Sequence, residues 1–418
     1  MNVYKFGGAS VKDAEGVRNL VEIIKTENIK KLVLVVSAMD KTTRALERLV
    51  DLYMTESSEV YDQINSIFDY HSGICSDLFE NESHEIFSKI NALKEEILSF
   101  IKQNKSPKRA FVYDQIIYFG EMLSSNIISS YMLHVGVRNN WIDVRDVIKT
   151  DSNYRDAKVD WDSTIDNAKK FIDSNSINVT QGFIGSDDNN FTTSLGLEGS
   201  DYSAAILAYC VNAQKVTVWK DVEGVLNADP RHFDKTTLLN HISFREAIEL
   251  SYFGASVIHP KTIQPLQHKE IPLYVRNFNN IELKGTVITK GAVMEPLIPC
   301  YIIKKNQIFL SISALDFSFI VEENISEIFA LVAKYRLKVN LMQNSAISFT
   351  LSIEDKFSNF DTFLDSLKSK YRLKYNTGVD LYTIRHFDNK SLSDFEDGKV
   401  ILLKQFSRET AQYIVKQH

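Results

Sequence analysis

The sequence predicts an α/β protein, with a mostly parallel central sheet between helices and a smaller α+β region after it, and three observations carry that expectation. Leu32-Val33-Leu34-Val35-Val36 is a continuous apolar run, the pattern of a strand covered on both faces. Val17, Leu20, Val21 and Ile24 ahead of it recur at helical spacing, so the chain from Val3 to Val36 reads strand, helix, strand. Beyond about residue 298 the texture changes to alternating strands and brief helical stripes.

The elements follow in order. Val3-Tyr4-Lys5-Phe6 is a short strand that runs into Gly7-Gly8. From about Asp51 to Lys102 the pattern is helical and polar enough to lie over a surface as a lid, ending in the breaker-rich Gln103-Asn104-Lys105-Ser106-Pro107-Lys108. Phe119, Leu123, Ile127 and Tyr131 form one helix face. Trp141-Ile142-Asp143-Val144, Ile177-Asn178-Val179-Thr180 and Val216-Thr217-Val218-Trp219 read as further strands. The second region opens with a strand at Ile308–Ile312, a helix face of Ile325, Ile328, Phe329 and Val332, and an alternating strand at Ala346–Leu351. A second round has a helix stripe of Phe360, Phe363, Leu364 and Leu367, strands near Leu381 and Val400, and a last helix near Thr410. The expected domains are residues 1–298 and 299–418, the second holding two βαββ-like rounds or a generic α+β appendage.

Composition narrows the function classes. At 418 residues, 44% hydrophobic and 24% charged, the chain has ordinary globular composition, with length for roughly two or three domains. No run of eighteen or more apolar residues occurs and no secretory or transit pattern opens the chain, so a cytoplasmic protein without membrane attachment is expected. Cys75, Cys210 and Cys300 are far apart and include no CxxC pair, which opposes a disulfide framework or a zinc site. A net charge of −6 opposes general nucleic-acid binding.

Three segments suit phosphate chemistry. Lys5 beside Gly7 and Gly8 offers an ammonium and backbone N–H groups open to an anion, although paired glycines after a strand also serve as a plain tight turn. Thr192-Thr193-Ser194-Leu195-Gly196-Leu197-Glu198-Gly199-Ser200-Asp201 opens an Ala-rich helix, whose N-terminal donors favour an anion and where Asp201 can orient a lysine or a metal; the plainer reading is an N-cap. Lys220-Asp221 ends a strand at the edge where α/β sheets bind ligands, and Gly224 and Asp229-Pro230-Arg231 turn the chain after it. GxxxxGK[ST] is absent, as are the protein-kinase motifs.

Together with Ser37-Ala38-Met39-Asp40-Lys41-Thr42-Thr43 and Gly120-Glu121-Met122-Leu123-Ser124, these segments resemble the aspartate kinases of the amino-acid kinase family, with C-terminal ACT modules. The resemblance implies phosphoryl transfer from ATP, with Mg2+, to the side-chain carboxylate of L-aspartate, the first step of lysine, threonine and methionine biosynthesis. It assigns Lys5 and Asp201 to catalysis, and Lys5, Gly7, Gly8, Ser200, Asp201, Lys220, Asp221 and Arg231 to ATP. Ser37, Thr43, Glu121 and Phe183 fall to the acceptor, with Glu121 taking the α-amino group, and no protein metal ligand is assigned. Met342, Gln343, Asn344 and Ser345 form the candidate effector loop for lysine or threonine, and a homodimer or larger homo-oligomer is expected. Ala9, Asp40, Leu197 and Ser256 stand where many members carry threonine, glycine, arginine and lysine. The arginine displaced at Leu197 pairs with the substrate carboxylate in the family, and Arg44, where relatives often have asparagine, is the expected substitute. The alternative is a kinase-like protein with an altered acceptor, or with catalysis lost, that senses amino acids.

Overall fold

The computed structural model describes residues 1–416 except Glu82, Ser256 and Phe317. The departure noted at Ser256 therefore lies outside the described residues. Residues 1–225, 238–248 and 257–295 form one compact unit, and 226–237, 249–256 and 296–418 another.

In the first unit β1 (Asn2–Phe6) leads through a 3-10 turn at Gly8–Val11 to α1 (Ala14–Thr26) and β2 (Leu32–Val36). Asp13 caps α1, its side chain accepting from the Gly16 N–H at 2.8 Å. Four helices follow, α2 (Thr42–Met54), α3 (Val60–Leu78), α4 (Glu85–Gln103) and α5 (Arg109–Ile117), before α6 (Phe119–His134). α3 buries Ile64, Phe68, His71 and Cys75 and α4 buries Ile86, Ile90 and Ile97, so both are amphipathic helices in the pattern expected from 51 to 102.

β3 (Asn140–Ile142) is shorter than its sequence suggests, because Asp143 leaves the strand to cap α7 (Val144–Val147), accepting from the Arg145 N–H at 3.0 Å. After α8 (Trp161–Phe171) come β4 (Ile177–Gln181), β5 (Ile184–Ser186), β6 (Thr192–Ser194), α9 (Gly199–Cys210) and β7 (Val216–Lys220). β8 (His241–Ser243), α10 (Phe244–Phe253), α11 (Pro260–His268), β9 (Leu273–Asn277) and β10 (Thr286–Thr289) complete the α/β layer.

The main sheet has the order β3-β4-β2-β1-β7-β9-β10-β8, and only the β9/β10 pair is antiparallel. β2 is buried at every residue, as its unbroken apolar run requires. Because β1, β2, β4 and β7 are neighbours and parallel, their C-terminal ends meet at one edge of the sheet.

The second unit is built on a six-stranded antiparallel sheet. Its chain order is β11 (Cys300–Ala314), α12 (Glu322–Lys334), β12 (Lys338–Asn344), β13 (Ser348–Glu354), α13 (Phe360–Leu367), β14 (Tyr371–Arg385), α14 (Asn389–Glu396), β15 (Ile401–Phe406) and β16 (Thr410–Lys416). The two expected rounds are nested rather than consecutive. The second half of β11 pairs with β13 and with the first half of β14, closing a βαββαβ module, while Cys300–Lys304 pairs with Leu381–Arg385 of the other module.

The helix expected near Thr410 is a strand. Thr410–Lys416 pairs along its length with Val379–Arg385, and the partner's ladder, which no local pattern announces, decides between the two periods. The candidate effector loop is also corrected: Met342, Gln343 and Asn344 are the end of edge strand β12, with Ser345 in the turn before β13.

Candidate active site

A cavity of about 520 Å³ opens where β1, β2, β4 and β7 end. Its wall includes Lys5 and Gly8 from β1 and the turn after it, Ser37 from the turn after β2, Phe183 from beyond β4, and Lys220 from the end of β7. Ser200 and Asp201 enter from the first turn of α9, Thr43 from α2 and Glu121 from α6.

Asp201 is the electrostatic centre. Lys5 Nζ lies 2.5 Å from its Oδ1 and Lys220 Nζ 3.2 Å from its Oδ2. Burial pushes its carboxyl pKa up, but the two ammonium groups outweigh burial and hold it below the ordinary aspartate range. Lys220 also donates to the Val257 carbonyl, so its head is held from two directions. The Lys5–Asp201–Lys220 cluster, one buried carboxylate between two lysines, carries one net positive charge, which suits a phosphate oxygen beside the donors of α9.

Glycines set the close approaches. A Cβ on Gly8 would come 2.5 Å from the Ala38 carbonyl oxygen, and one on Gly182 2.6 Å from Ser200 Cβ, so both must be glycine for the turn after β2 and the start of α9 to reach their places. Gly7 is different, since its added Cβ would meet only Lys5 Nζ, at 3.6 Å.

Glu121 is the second unusual carboxylate. The Ala38 N–H donates to its Oε1 at 3.4 Å, while Oε2 is buried with no hydrogen-bond partner among the described residues. Burial raises its pKa to about 8, against the pull of the Ala38 N–H and Lys5. Such a group is poised to accept from an incoming cation.

The structure brings Lys5, Gly8, Ser37, Thr43, Glu121, Phe183, Ser200, Lys220 and Asp201 into one wall. Gly7 adjoins it, and Asp221 is exposed just past Lys220. Arg231 is exposed in the second unit, its guanidinium 2.6 Å from Asp229. Arg44 is exposed at the start of α2 and does not line the cavity. Met342, Gln343, Asn344 and Ser345 are exposed; a cavity of about 270 Å³ in their unit is lined instead by Ser311, Ser313, Ala314, Ile347, Ser348, Arg372 and Lys374.

Four wall residues escaped the sequence reading: Glu47, Tyr113, Arg155 and Glu198. Glu198 lies in the segment that opens α9, where only Ser200 and Asp201 fit an anion-binding helix start. Glu47 and Tyr113 belong to α2 and α5, for which the sequence reading gives no helix face. Arg155 sits in the polar turn Asn153-Tyr154-Arg155-Asp156, which carries no pattern that marks a site.

Residues 1–277 match the model of the amino acid kinase family. A chloroplastic bifunctional aspartokinase/homoserine dehydrogenase of Daucus carota is 32% identical over 308 residues, 70% of this chain but 33% of its own length. An Arabidopsis thaliana relative of the same description is 32% identical over 301 residues, so the chain spans about a third of these curated relatives. The lysine-sensitive aspartokinase 3 of Escherichia coli is 28% identical over 362 residues, 84% of this chain and 78% of that protein. Among solved structures, E. coli aspartokinase III in complex with lysine and aspartate superposes with a TM-score of 0.83 at 25% identity, covering 99% of this chain and 96% of that one. The same enzyme in complex with aspartate and ADP gives 0.81 at 25% identity, with the same coverage.

Proposed function

The chain belongs to the amino acid kinase family, and we propose that it is an aspartate kinase, transferring the γ-phosphoryl of ATP to the side-chain carboxylate of L-aspartate to give 4-phospho-L-aspartate and ADP. The observation that carries this reading is Asp201 held between Lys5 and Lys220 in a cavity that also contains the partnerless Oε2 of Glu121. The first arrangement serves a transferring phosphoryl and the second an amino group. The near full-length likeness to an enzyme solved with aspartate and ADP supports the same substrates.

The acceptor carboxylate is ionised at neutral pH and needs no general base. One of its oxygens forms a bond to the γ-phosphorus as the bond to the β,γ-bridging oxygen breaks, and that electron pair leaves on ADP. Lys5, the Gly8 backbone N–H and the N-terminus of α9 face the charge spread over the phosphoryl oxygens, while Asp201 keeps Lys5 and Lys220 aimed. Glu121 accepts the α-ammonium, and Ser37, Thr43 and Phe183 bound the acceptor's side of the cavity. Gly7 and Asp221 belong to the nucleotide in this reading.

Mg2+ bound with the nucleotide would supply charge neutralisation for its phosphates. No cluster of three or more metal-ligating side chains occurs among the described residues. Glu198, whose buried Oε2 has no hydrogen-bond partner among the described residues, is the carboxylate of the wall that fits it.

Residues 1–298 are the catalytic domain in this proposal and 299–418 a regulatory pair of ACT-type modules, with Met342, Gln343, Asn344 and Ser345 at the effector site. The lysine complex of the E. coli enzyme supports lysine ahead of threonine as effector. No helix among the described residues is long and apolar enough to cross a membrane, and we place the enzyme in the cytoplasm.

ADP release from purified protein, measured with ATP, Mg2+ and a panel of amino acids, tests the reading. Turnover with aspartate is expected; turnover confined to another acid, or none at all, overturns it.

A further inference from the structure

We infer that Arg155 supplies the guanidinium fork for the acceptor's α-carboxylate, in place of the arginine that Leu197 displaces. The inference rests on the aspartate reading above and adds a specificity residue to it.

The cations of the cavity wall, among the described residues, are Lys5, Lys220 and Arg155. Lys5 and Lys220 are committed to Asp201, at 2.5 and 3.2 Å. Arg155 makes no ion pair with any described residue; its guanidinium carbon stands 4.3 Å from the centre of the Tyr113 ring. Tyr113 is itself buried and tied down, its hydroxyl donating to Glu47 Oε1 at 3.1 Å. An aromatic shelf of this kind restricts the rotamers of the arginine while leaving its N–H groups open, which pre-organises a planar fork for a carboxylate.

The backbone is arranged to hold that fork. Arg155 has φ 74°, a left-handed conformation that a long side chain rarely adopts. It is kept there by Asp114, which is fully buried: the Arg155 N–H donates to Asp114 Oδ2 at 3.0 Å, and Ser194 donates to the same carboxylate from its backbone at 2.9 Å and its hydroxyl at 2.7 Å. The Ser194 bonds fasten the Arg155 turn to the segment that carries Leu197. Contact there is close, since a Cβ on Gly196 would lie 3.4 Å from the Arg155 carbonyl oxygen and 2.7 Å from Asp156 Oδ1. Leu197 is 76% exposed and offers a carboxylate nothing. The guanidinium thus reaches the cavity from the turn packed against the place where the family's arginine stands.

The charges of an amino-acid acceptor are matched in full by this arrangement. Glu121 Oε2 meets the ammonium, the Lys5 edge meets the reacting carboxylate and phosphoryl, and Arg155 remains for the α-carboxylate.

Titration calorimetry of the full chain with L-aspartate and with its α-carboxamide, L-isoasparagine, tests the inference. The wild type is expected to prefer aspartate by about tenfold or more, the scale of a charge-assisted hydrogen bond. In R155A and R155G that preference disappears, with affinity for a non-hydrolysable ATP analogue within about twofold of wild type; glycine suits φ 74°, so R155G guards against a folding failure in R155A. The double variant R155G/L197R regains the preference, and aspartate KM follows the same order in steady-state kinetics. Undiminished preference in R155G overturns the inference and leaves the kinase reading standing, as does its loss in R44A while R155G keeps it. A wild type that neither binds nor phosphorylates aspartate ends the functional reading, and this inference with it.

Discussion

Asp40, Arg155, Phe183, Gly196 and Glu198 all line the cavity and all have positive φ, of 43°, 74°, 72°, 80° and 53°. Such conformations cost non-glycine residues about 1–3 kcal/mol each and persist where the surroundings force them, so strain is concentrated around this cavity. The departure at Asp40 is intelligible on the same ground: the family's glycine stands where φ is left-handed, and aspartate is among the few side chains that tolerate it. In the proposed kinase reading Lys5 faces the charge of the transferring group, so K5A is expected to lose about a hundredfold or more in kcat, with a melting temperature close to wild type. Stopped turnover assays and a thermal scan on one preparation check both halves. Glu121 gives the pH prediction. Its folded pKa, about 8, lies above that of an unfolded glutamate, so the folded state holds the extra proton and stability falls as pH rises from about 4.5 to 8. E121Q removes that loss: its melting temperature should exceed wild type at pH 8 and equal it near pH 4.5, while aspartate KM rises about tenfold. An unaltered pH profile of stability would count against the buried, protonated carboxyl. Lys5, Ser200 and Asp201 sit in strand-end or helix-start patterns that suit an anion, but it is the family resemblance that raises them above a plain turn or N-cap, and Glu121 rests mainly on that resemblance. Arg155 was not legible in the sequence, since neither its backbone angle nor its approach to Tyr113 leaves a mark on neighbouring residues.

At the scale of elements, the turns after β1 and β2 are locked together at Gly8, whose α-hydrogen faces the Ala38 carbonyl. G8A would place a methyl 2.5 Å from a backbone oxygen that cannot swing aside, so one turn must shift. The expected loss is about 1–3 kcal/mol in chemical denaturation, with turnover falling further than stability because Lys5 and Ser37 flank the same contact. G7A is the matched control: its added carbon meets nothing closer than 3.6 Å, and its stability should stay within about 0.5 kcal/mol of wild type. The strands of the α/β layer were readable from sequence where both faces are covered, as at Leu32–Val36, because burial writes itself as an unbroken apolar run. Thr410–Lys416 failed for the opposite reason. Ala411, Tyr413, Ile414 and Val415 are buried along a strand whose partner, β14, lies some thirty residues back in the chain, and spacing within the segment fits either period. The nesting of the modules escaped notice because β11 and β14 are single fifteen-residue strands that serve both, and nothing in their sequences marks the change of partner.

On the scale of the whole molecule, two kinds of surface remain to be matched with partners. The cavity of the first unit is the proposed substrate site, whereas the second unit presents β12 as an edge strand, paired on one side only among the described residues. Edge strands are usually blunted by charge or proline, yet here Met342 is 54% exposed and Ile347, in the turn that follows, 46%. Exposed apolar side chains at a sheet edge fit pairing with a second copy of the module, the arrangement in which an effector site at Met342–Ser345 would be closed from both sides. The double variant M342K/I347K is therefore expected to sediment as a smaller species than wild type. Each lysine puts a charge where a symmetric contact would bring it near its own copy, and like charges across such a contact oppose association. Binding of lysine, measured by calorimetry, should fall with the loss of association, while turnover at saturating substrate persists because neither residue touches the cavity wall. The two readouts separate the ideas: unchanged sedimentation with lysine binding lost would keep the effector site and move the oligomer contact elsewhere, and a wild type that sediments as a monomer and binds neither lysine nor threonine would remove the regulatory role of residues 299–418 altogether.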